Sequence, residues 1–191
     1  MLERLQSLAG VFAFYWVLLV YIVYSWDKPE YSHMADKFSV LLRDNPWFGL
    51  FGYVIPGCLV AYQGYVLKQK ILGGLVSWLP MIAFISFGIF LAIGGIMPVS
   101  SSGEAHILQT FSELGSFFFF LIAALTINAQ LKLDLEWKSL HVPNTLLLWL
   151  VAIVTFFQEV EGIGGLMNKV AIFGGYFWVA IFSYRSFKLT S

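Results

Sequence analysis

The sequence predicts an all-α fold, a bundle of six transmembrane helices with both termini on the cytoplasmic side. Three observations lead to this prediction. Hydrophobic residues make up 59% of the 191 residues and charged residues only 12%, about half the charged fraction of a soluble domain. Six apolar segments are long enough, or nearly long enough, to cross a bilayer. Lysine and arginine are unevenly distributed between the two sets of connecting segments, which indicates the orientation.

The composition also excludes several classes of protein. A soluble domain of this size leaves about 30% of its chain surface exposed and could not hide so many apolar side chains. A disordered chain needs low hydrophobicity, which this sequence lacks. The 11 basic and 11 acidic residues cancel, so no basic surface for nucleic acid is expected. The single cysteine, Cys58, excludes an intrachain disulfide.

A membrane-spanning helix needs about 20 apolar residues to cross about 30 Å of hydrocarbon. The first apolar segment is longer than the core of a signal peptide, so we expect it to be retained as part of one membrane domain over residues 1–191. The fifth segment follows Pro143 and covers only about 22 Å at about 1.5 Å per residue. The predicted spans are residues 8–25, 47–67, 72–96, 106–130, 144–158 and 165–184.

Glycine and proline inside the spans predict local features of the bundle. Small residues let lipid-embedded helices approach closely, so we interpret the frequent glycines as a packing signal. Pro56 in the second span and Pro80 in the third each predict a kink, because proline cannot donate a helical hydrogen bond.

The orientation prediction follows from counting lysine and arginine on the two sides. The side with both termini carries seven of these residues and the other side carries four. The seven are Arg4, Lys68, Lys70, Lys132, Lys138, Arg185 and Lys188, and the four are Lys28, Lys37, Arg43 and Lys169. The excess predicts that both termini are cytoplasmic and that the long polar loop after the first span is on the outer face.

The best candidate for a functional site is the outer end of the fourth span. His106, Gln109 and Glu113 are three and four residues apart, so they share one face of a helix. A carboxylate at the bilayer centre costs about 2.5–3.5 kcal/mol or more, and less near the interface. Glu113 should therefore face the bundle interior beside a partner, and Lys169 and Asn168 at the start of the sixth span are the first candidates.

We predict that these residues border a polar pocket open to the outer face. The predicted ligand-binding residues are His106, Gln109, Glu113, Glu161, Lys169 and Asp44. The alternative interpretation is a structural ion pair between Glu113 and Lys169, with the loop charges serving only to keep short loops in water. No catalytic residue, metal site or cofactor is predicted, because the three histidines are widely separated and no HExxH, GxSxG or Walker motif occurs.

Three stretches resemble a known family: residues 38–41 with 44–49, residues 94–98 followed by His106, and residues 161–169. They are similar to the bacterial six-span family filed as domain of unknown function 998, which is distantly similar to FRAG/DRAM/Sfk-type membrane proteins. The resemblance covers nearly the whole chain. It implies the six-span fold and a location in the bacterial inner (plasma) membrane, whereas the family has no agreed activity.

The resemblance extends to a few single positions. Gly95, Pro98 and His106 match the family's Gly-x-x-Pro end of the third span and the following histidine, and Glu161 with Gly162 matches its acid–glycine turn. One departure concerns residues 100–102, where three serines stand in place of the acid that the family often carries. The resemblance therefore does not imply a fixed carboxylate–histidine pair.

Four hypotheses for the function remain open at this point. The leading one is a non-enzymatic membrane protein that binds a lipid or another small amphipathic ligand, with the head group beneath His106 and the tail between spans. The others are a proton-coupled transporter of a small solute, a lipid-modifying enzyme that uses His106 as its base, and a structural subunit of a membrane complex. The expected partners are membrane lipids, with further copies of the chain or another membrane protein as alternatives.

Overall fold

The structure is a computed structural model of the chain, and it describes residues 2–26, 28–43, 45–71, 78–96 and 104–189. Within these ranges all regular secondary structure is helical. The helices include a π-helical turn, Leu50–Val54, and a 3₁₀ turn, Lys138–Leu140. The α-helices are α1 (Leu2–Gln6), α2 (Ala9–Trp26), α3 (Val40–Arg43), α4 (Pro46–Gly49), α5 (Ile55–Ile71), α6 (Trp78–Ile96), α7 (Glu104–Leu131), α8 (His141–Phe156) and α9 (Gly164–Leu189).

Six segments of the described chain are long and apolar enough to cross a membrane, which confirms the all-α, six-span prediction. The fifth starts earlier than expected, at Lys138 instead of 144, and reaches 19 residues. Pro143 does not prevent this, because it lies in the first turn of α8, where its missing N–H has no helical acceptor. The first to sixth spans are Ala9–Trp26, Trp47–Gln69, Trp78–Ile96, Ile107–Leu131, Lys138–Phe156 and Gly164–Leu189.

The spans form a ring in chain order, in which each packs against the next and the sixth packs against the first. The second span also contacts the sixth across the ring. Aromatic side chains fill the centre, where the Trp178 ring stacks on Phe84 at 4.8 Å and lies edge-on to Phe120 at 5.2 Å. The bundle is therefore closed by packing on its axis, and it has a loop end (residues 28–45 and 157–163) and a terminal end that carries both termini.

The second and third spans approach each other through glycine. A Cβ atom added at Gly57 would lie 2.6 Å from the carbonyl oxygen of Gly88, and one added at Gly88 would lie 2.6 Å from the amide nitrogen of Ala61. These distances are shorter than van der Waals contact and involve backbone atoms that cannot rotate away. The glycines here are thus packing residues, as predicted.

We expect the substitution Gly88→Ala to destabilise the bundle, because the added methyl group forces the two helices apart. Overpacking of this kind costs about 1–3 kcal/mol. Gly175→Ala is the matched control, since a Cβ atom there meets its nearest neighbour, Phe87 Cζ, at an ordinary 3.7 Å. The midpoint of thermal unfolding in detergent should fall for Gly88→Ala only, and equal midpoints for the two variants would contradict this packing.

The predicted proline kinks have different outcomes. Pro56 lacks the N–H that would reach the carbonyl of Gly52, and the turn before it is π-helical, with the Ile55 amide donating to the Leu50 carbonyl five residues earlier. A wider turn in the second span is therefore the local distortion at Pro56. Pro80 is the third residue of α6 as described, in the first turn, where proline is tolerated.

The loop between the first and second spans folds into the loop end of the bundle. Phe38 is only 1% exposed, and Leu41 is fully buried. The Phe38 ring lies 5.7 Å from the Tyr21 ring of the first span and 5.4 Å from the Tyr53 ring of the second span. This aromatic contact places the flanking residues Lys37 and Ser39 over the interior of the ring of helices.

Candidate ligand-binding cavity

A cavity of about 880 Å³ lies inside the ring of helices at the loop end. Its walls are the third to sixth spans and loop residues 35–40. The volume falls within the roughly 300–1,000 Å³ that is typical of small-molecule sites.

The chemistry of the cavity wall changes with depth. Phe120, at the deep end, is eleven residues beyond Gln109, which corresponds to about 16 Å along the fourth span. The polar wall residues, gathered toward the loop end, include Asp36, Lys37, Ser39, Gln109, Thr110, Glu113, Gln158, Glu159 and Asn168. The deeper wall is mainly apolar and includes Phe87, Leu91, Phe117, Phe120, Val151, Ile172 and Gly175. The cavity is therefore amphipathic along its length.

The cavity extends to the outer surface of the bundle at residues of the fourth and fifth spans. These two helices contact each other less extensively than the other neighbouring pairs. Hydrogen bonds join them toward the terminal end, where Asn144 Nδ2 donates to the Ala124 carbonyl at 3.2 Å. Toward the loop end, Leu114 and Phe156 border the cavity and are 62% and 82% exposed. An apolar chain could enter the cavity here from the bilayer.

Glu113 points into the cavity at the boundary between its polar and apolar parts. Gln109 Nε2 donates a hydrogen bond of 3.2 Å to Glu113 Oε1. Ser39 borders the same cavity, and the positive charge of Lys37 acts on this carboxyl group from the loop. The accessible surface of Glu113, which lies within a span, faces the cavity.

An ion pair crosses the loop end of the cavity. Lys37 Nζ lies 2.6 Å from Glu159 Oε1, which connects the loop after the first span to the turn before the sixth. The Glu159 side chain is 82% exposed, and an ion pair of this kind contributes at most about 1 kcal/mol. Its main effect is to neutralise the charge of Lys37 at the cavity mouth.

Lys169 holds the loop and does not reach the cavity. Its Nζ donates to the carbonyls of His33 at 3.0 Å, of Gly165 at 3.2 Å and of Asp36, and it lies 4.8 Å above the ring of Tyr31. Three carbonyls use all three donors of an ammonium group. The expected ion pair between Glu113 and Lys169 is therefore wrong.

The environment of Lys169 is completed by Tyr31 and Asn168. Burial raises the pKa of the Tyr31 hydroxyl, so the ring under the ammonium group stays a neutral phenol. Asn168 Oδ1 accepts a hydrogen bond of 2.9 Å from the Phe38 amide, and Asn168 Nδ2 donates to Gln158 Oε1 at 2.7 Å. The start of the sixth span thus fixes both the loop and the turn that carry the cavity mouth.

The sequence profile of one family, described as "Protein of unknown function (DUF998)", matches residues 8–185. The chain belongs to the DUF998 family. No curated protein and no solved structure matches it.

The family match covers the first five spans, the sixth span as far as residue 185 and every wall of the cavity, so this DUF998 protein is a multi-pass integral membrane protein whose cavity lies within the family domain. The family description assigns no activity. The functional argument therefore depends on the cavity itself.

The structure brings only part of the predicted site together in this DUF998 protein. Gln109 and Glu113 both border the cavity and are hydrogen-bonded to each other. Glu161 is exposed on the turn before the sixth span, beside Gly162, whose φ of 82° suits glycine. Asp44 lies outside the described residues, and of His106 only the backbone, in the first turn of α7, is described.

Several cavity residues were missed at the level of sequence. Lys37 and Ser39 were assigned to a solvated loop, although the apolar residues around them gave a signal that this segment is buried. Thr155 on the fifth span also borders the cavity and carried no comparable signal.

Proposed function

We propose that this DUF998 protein binds an amphipathic lipid or a lipid-like small molecule in the cavity. The head group would lie among the polar residues at the loop end, and the tail would lie along Phe117 and Phe120. The observation that carries the proposal is the amphipathic cavity, whose wall at the fourth and fifth spans includes the exposed apolar residues Leu114 and Phe156. Ligand sites typically combine apolar walls with a few convergent polar groups, as this cavity does.

We propose further that the loop end faces outward and both termini face the cytoplasm of a bacterial cell. Seven lysine and arginine residues on the terminal side against four on the other support this orientation. The head group would then come from the outer leaflet of the plasma membrane. Transport, lipid modification and a structural role in a complex or oligomer remain predictions.

A phospholipid with a photoreactive diazirine in its acyl chain tests the proposal. The purified protein would be reconstituted with this lipid, irradiated and digested, and the labelled residues would be located by mass spectrometry. We expect labelling to be concentrated at residues 113–120, 151–156 and 168–176. The control surface is the exposed face of the first span at Tyr15, Leu19 and Ile22, which meets bulk lipid only.

Labelling distributed in proportion to surface exposure, with no excess in the cavity walls, would contradict lipid binding in the cavity. Excess labelling at Phe120, which is only 2% exposed, would be the strongest support. Bulk lipid on the outer surface of the bundle has little access to that side chain.

A further inference from the structure

We infer that the ligand carries a positively charged amine in its head group and that Glu113 is the counter-ion of this amine. The inference deepens the proposed function and rests on it. It concerns a class of ligand, the amine-bearing amphiphile, whether this is an aminophospholipid or a single-chain amine.

The first argument is the charge of the cavity mouth. Among the described residues that border the cavity, Asp36, Glu113 and Glu159 are acidic and Lys37 alone is basic. Lys37 is already paired with Glu159 at 2.6 Å. An anionic head group would therefore meet an excess of negative charge, whereas a cationic head group would reduce it.

The second argument separates Glu113 from the other two acids. Asp36 Oδ2 accepts the Ser32 amide at 2.7 Å within the loop, and Glu159 accepts Lys37. Glu113 accepts a hydrogen bond from the neutral side chain of Gln109. A carboxylate has about four lone-pair positions, so this donor leaves Glu113 with acceptor capacity that faces the cavity.

The third argument is the depth of Glu113. The attraction between opposite charges grows as the effective dielectric constant falls, so a cation gains more beside this carboxylate than at the exposed mouth. Ionisable groups inside spans generally pair with another group. Lys169 does not serve as that partner, because its three donors bind the carbonyls of residues 33, 36 and 165. Lys37 acts on Glu113 only from a distance, since its ammonium group is paired with Glu159 at 2.6 Å. A ligand ammonium could take this place.

The fourth argument is that the tail cannot provide selectivity. Lipid chains outside the protein are as apolar as the cavity wall, so moving a tail from the bilayer into the cavity brings no hydrophobic gain. Preference for one amphiphile over another must then come from the head group. Glu113 stands where the polar wall meets the apolar wall, next to the first atoms of any bound tail.

Competition against the photoreactive lipid tests the inference. Dodecylamine, dodecanol and dodecanoate each have a twelve-carbon chain. Their head groups are cationic, neutral and anionic, respectively. In neutral detergent we expect dodecylamine to suppress cavity labelling at a concentration about tenfold lower than the other two. In a second arm, nanodiscs of phosphatidylethanolamine and of phosphatidylglycerol separate an aminophospholipid from a single-chain amine as the source of the amine.

The substitution Glu113→Gln keeps the size and the hydrogen bonding of the side chain and removes its charge. In this variant, the concentration of dodecylamine that suppresses cavity labelling should be within about threefold of the concentration of dodecanol that does so. Cavity labelling by the photoreactive lipid itself should persist. Glu30→Gln is the control, because Glu30 is an exposed acid in the loop after the first span and does not border the cavity. This control substitution should leave the tenfold preference for dodecylamine unchanged.

Equal potency of the three probes in the wild-type protein, or an amine preference that survives Glu113→Gln, would overturn the inference. If the variant does not fold, the relative potency of the three probes in the wild-type protein tests the inference by itself. Cavity labelling without any head-group preference would refute the amine and leave lipid binding intact. Absence of cavity labelling would instead refute the proposed function itself.

Discussion

Replacing Lys169 by methionine should detach the loop between the first and second spans from the bundle. Methionine has a similar length and no donors, so the carbonyls of His33, Asp36 and Gly165 would lose their shared partner. Lys169 is only 4% exposed, so water cannot easily replace the ammonium group. Leaving a buried acceptor without a partner costs about 1–3 kcal/mol. This penalty applies above all to the His33 carbonyl, since the Asp36 carbonyl still accepts the Tyr31 hydroxyl at 3.4 Å and the Gly165 carbonyl lies within α9.

Hydrogen–deuterium exchange over residues 31–39 is the measurement for this prediction. These amides include Tyr31, which bonds to the Lys28 carbonyl, and Phe38, which bonds to Asn168. We expect their exchange to accelerate by about tenfold or more, because local stability falls by more than about 1.4 kcal/mol. Lys188→Met, at the exposed end of the same helix, is the control. Unchanged protection of residues 31–39 in Lys169→Met would show that the loop is held by its aromatic contacts alone.

The spans were predictable because they depend on local properties of the chain. Length and apolar composition identify a membrane helix before any contact is known. The pairing of Gln109 with Glu113 was predictable for the same reason, since residues four apart are neighbours on any helix.

The partners of Lys169 and Lys37 were not predictable from the sequence. Lys169 binds backbone carbonyls. Every residue has a backbone carbonyl, so the residue types in a sequence do not indicate which carbonyls a lysine will bind. Lys37 pairs with Glu159 across 122 positions of the chain. Both contacts depend on how the loop folds over the bundle, and that fold is set by burial of Phe38 among side chains from several spans.

The fifth span begins before residue 144, the predicted start, and its first residues include polar side chains. His141 lies outside the predicted span of residues 144–158, yet its Nδ1 lies 2.6 Å from Asn128 Oδ1 on the fourth span. Asn144 is also satisfied internally, since its Oδ1 accepts the Trp178 indole N–H at 2.6 Å. Polar groups are tolerated within a span when they are paired in this way, so the helix extends beyond the apolar segment.

Filling the cavity with a leucine at Gly175 should exclude the ligand without unfolding the protein. Gly175 borders the cavity, and a Cβ atom there has its nearest neighbour at 3.7 Å, the ring of Phe87. Inserting a larger residue usually costs about 1–3 kcal/mol because it displaces packed neighbours, but here the added atoms extend into open space. The midpoint of thermal unfolding should therefore stay close to that of the wild-type protein.

The effect of Gly175→Leu on binding is measured with the same photoreactive lipid. Labelling of residues 113–120 and 168–176 should fall by about tenfold or more, since the leucine side chain and a lipid tail cannot occupy one volume. Cys58→Leu adds apolar volume on the exposed face of the second span and should leave labelling unchanged. Undiminished labelling at Phe120 in a folded Gly175→Leu protein would mean that the tail reaches this residue by another route. The tail would then not lie beside Gly175 in the cavity.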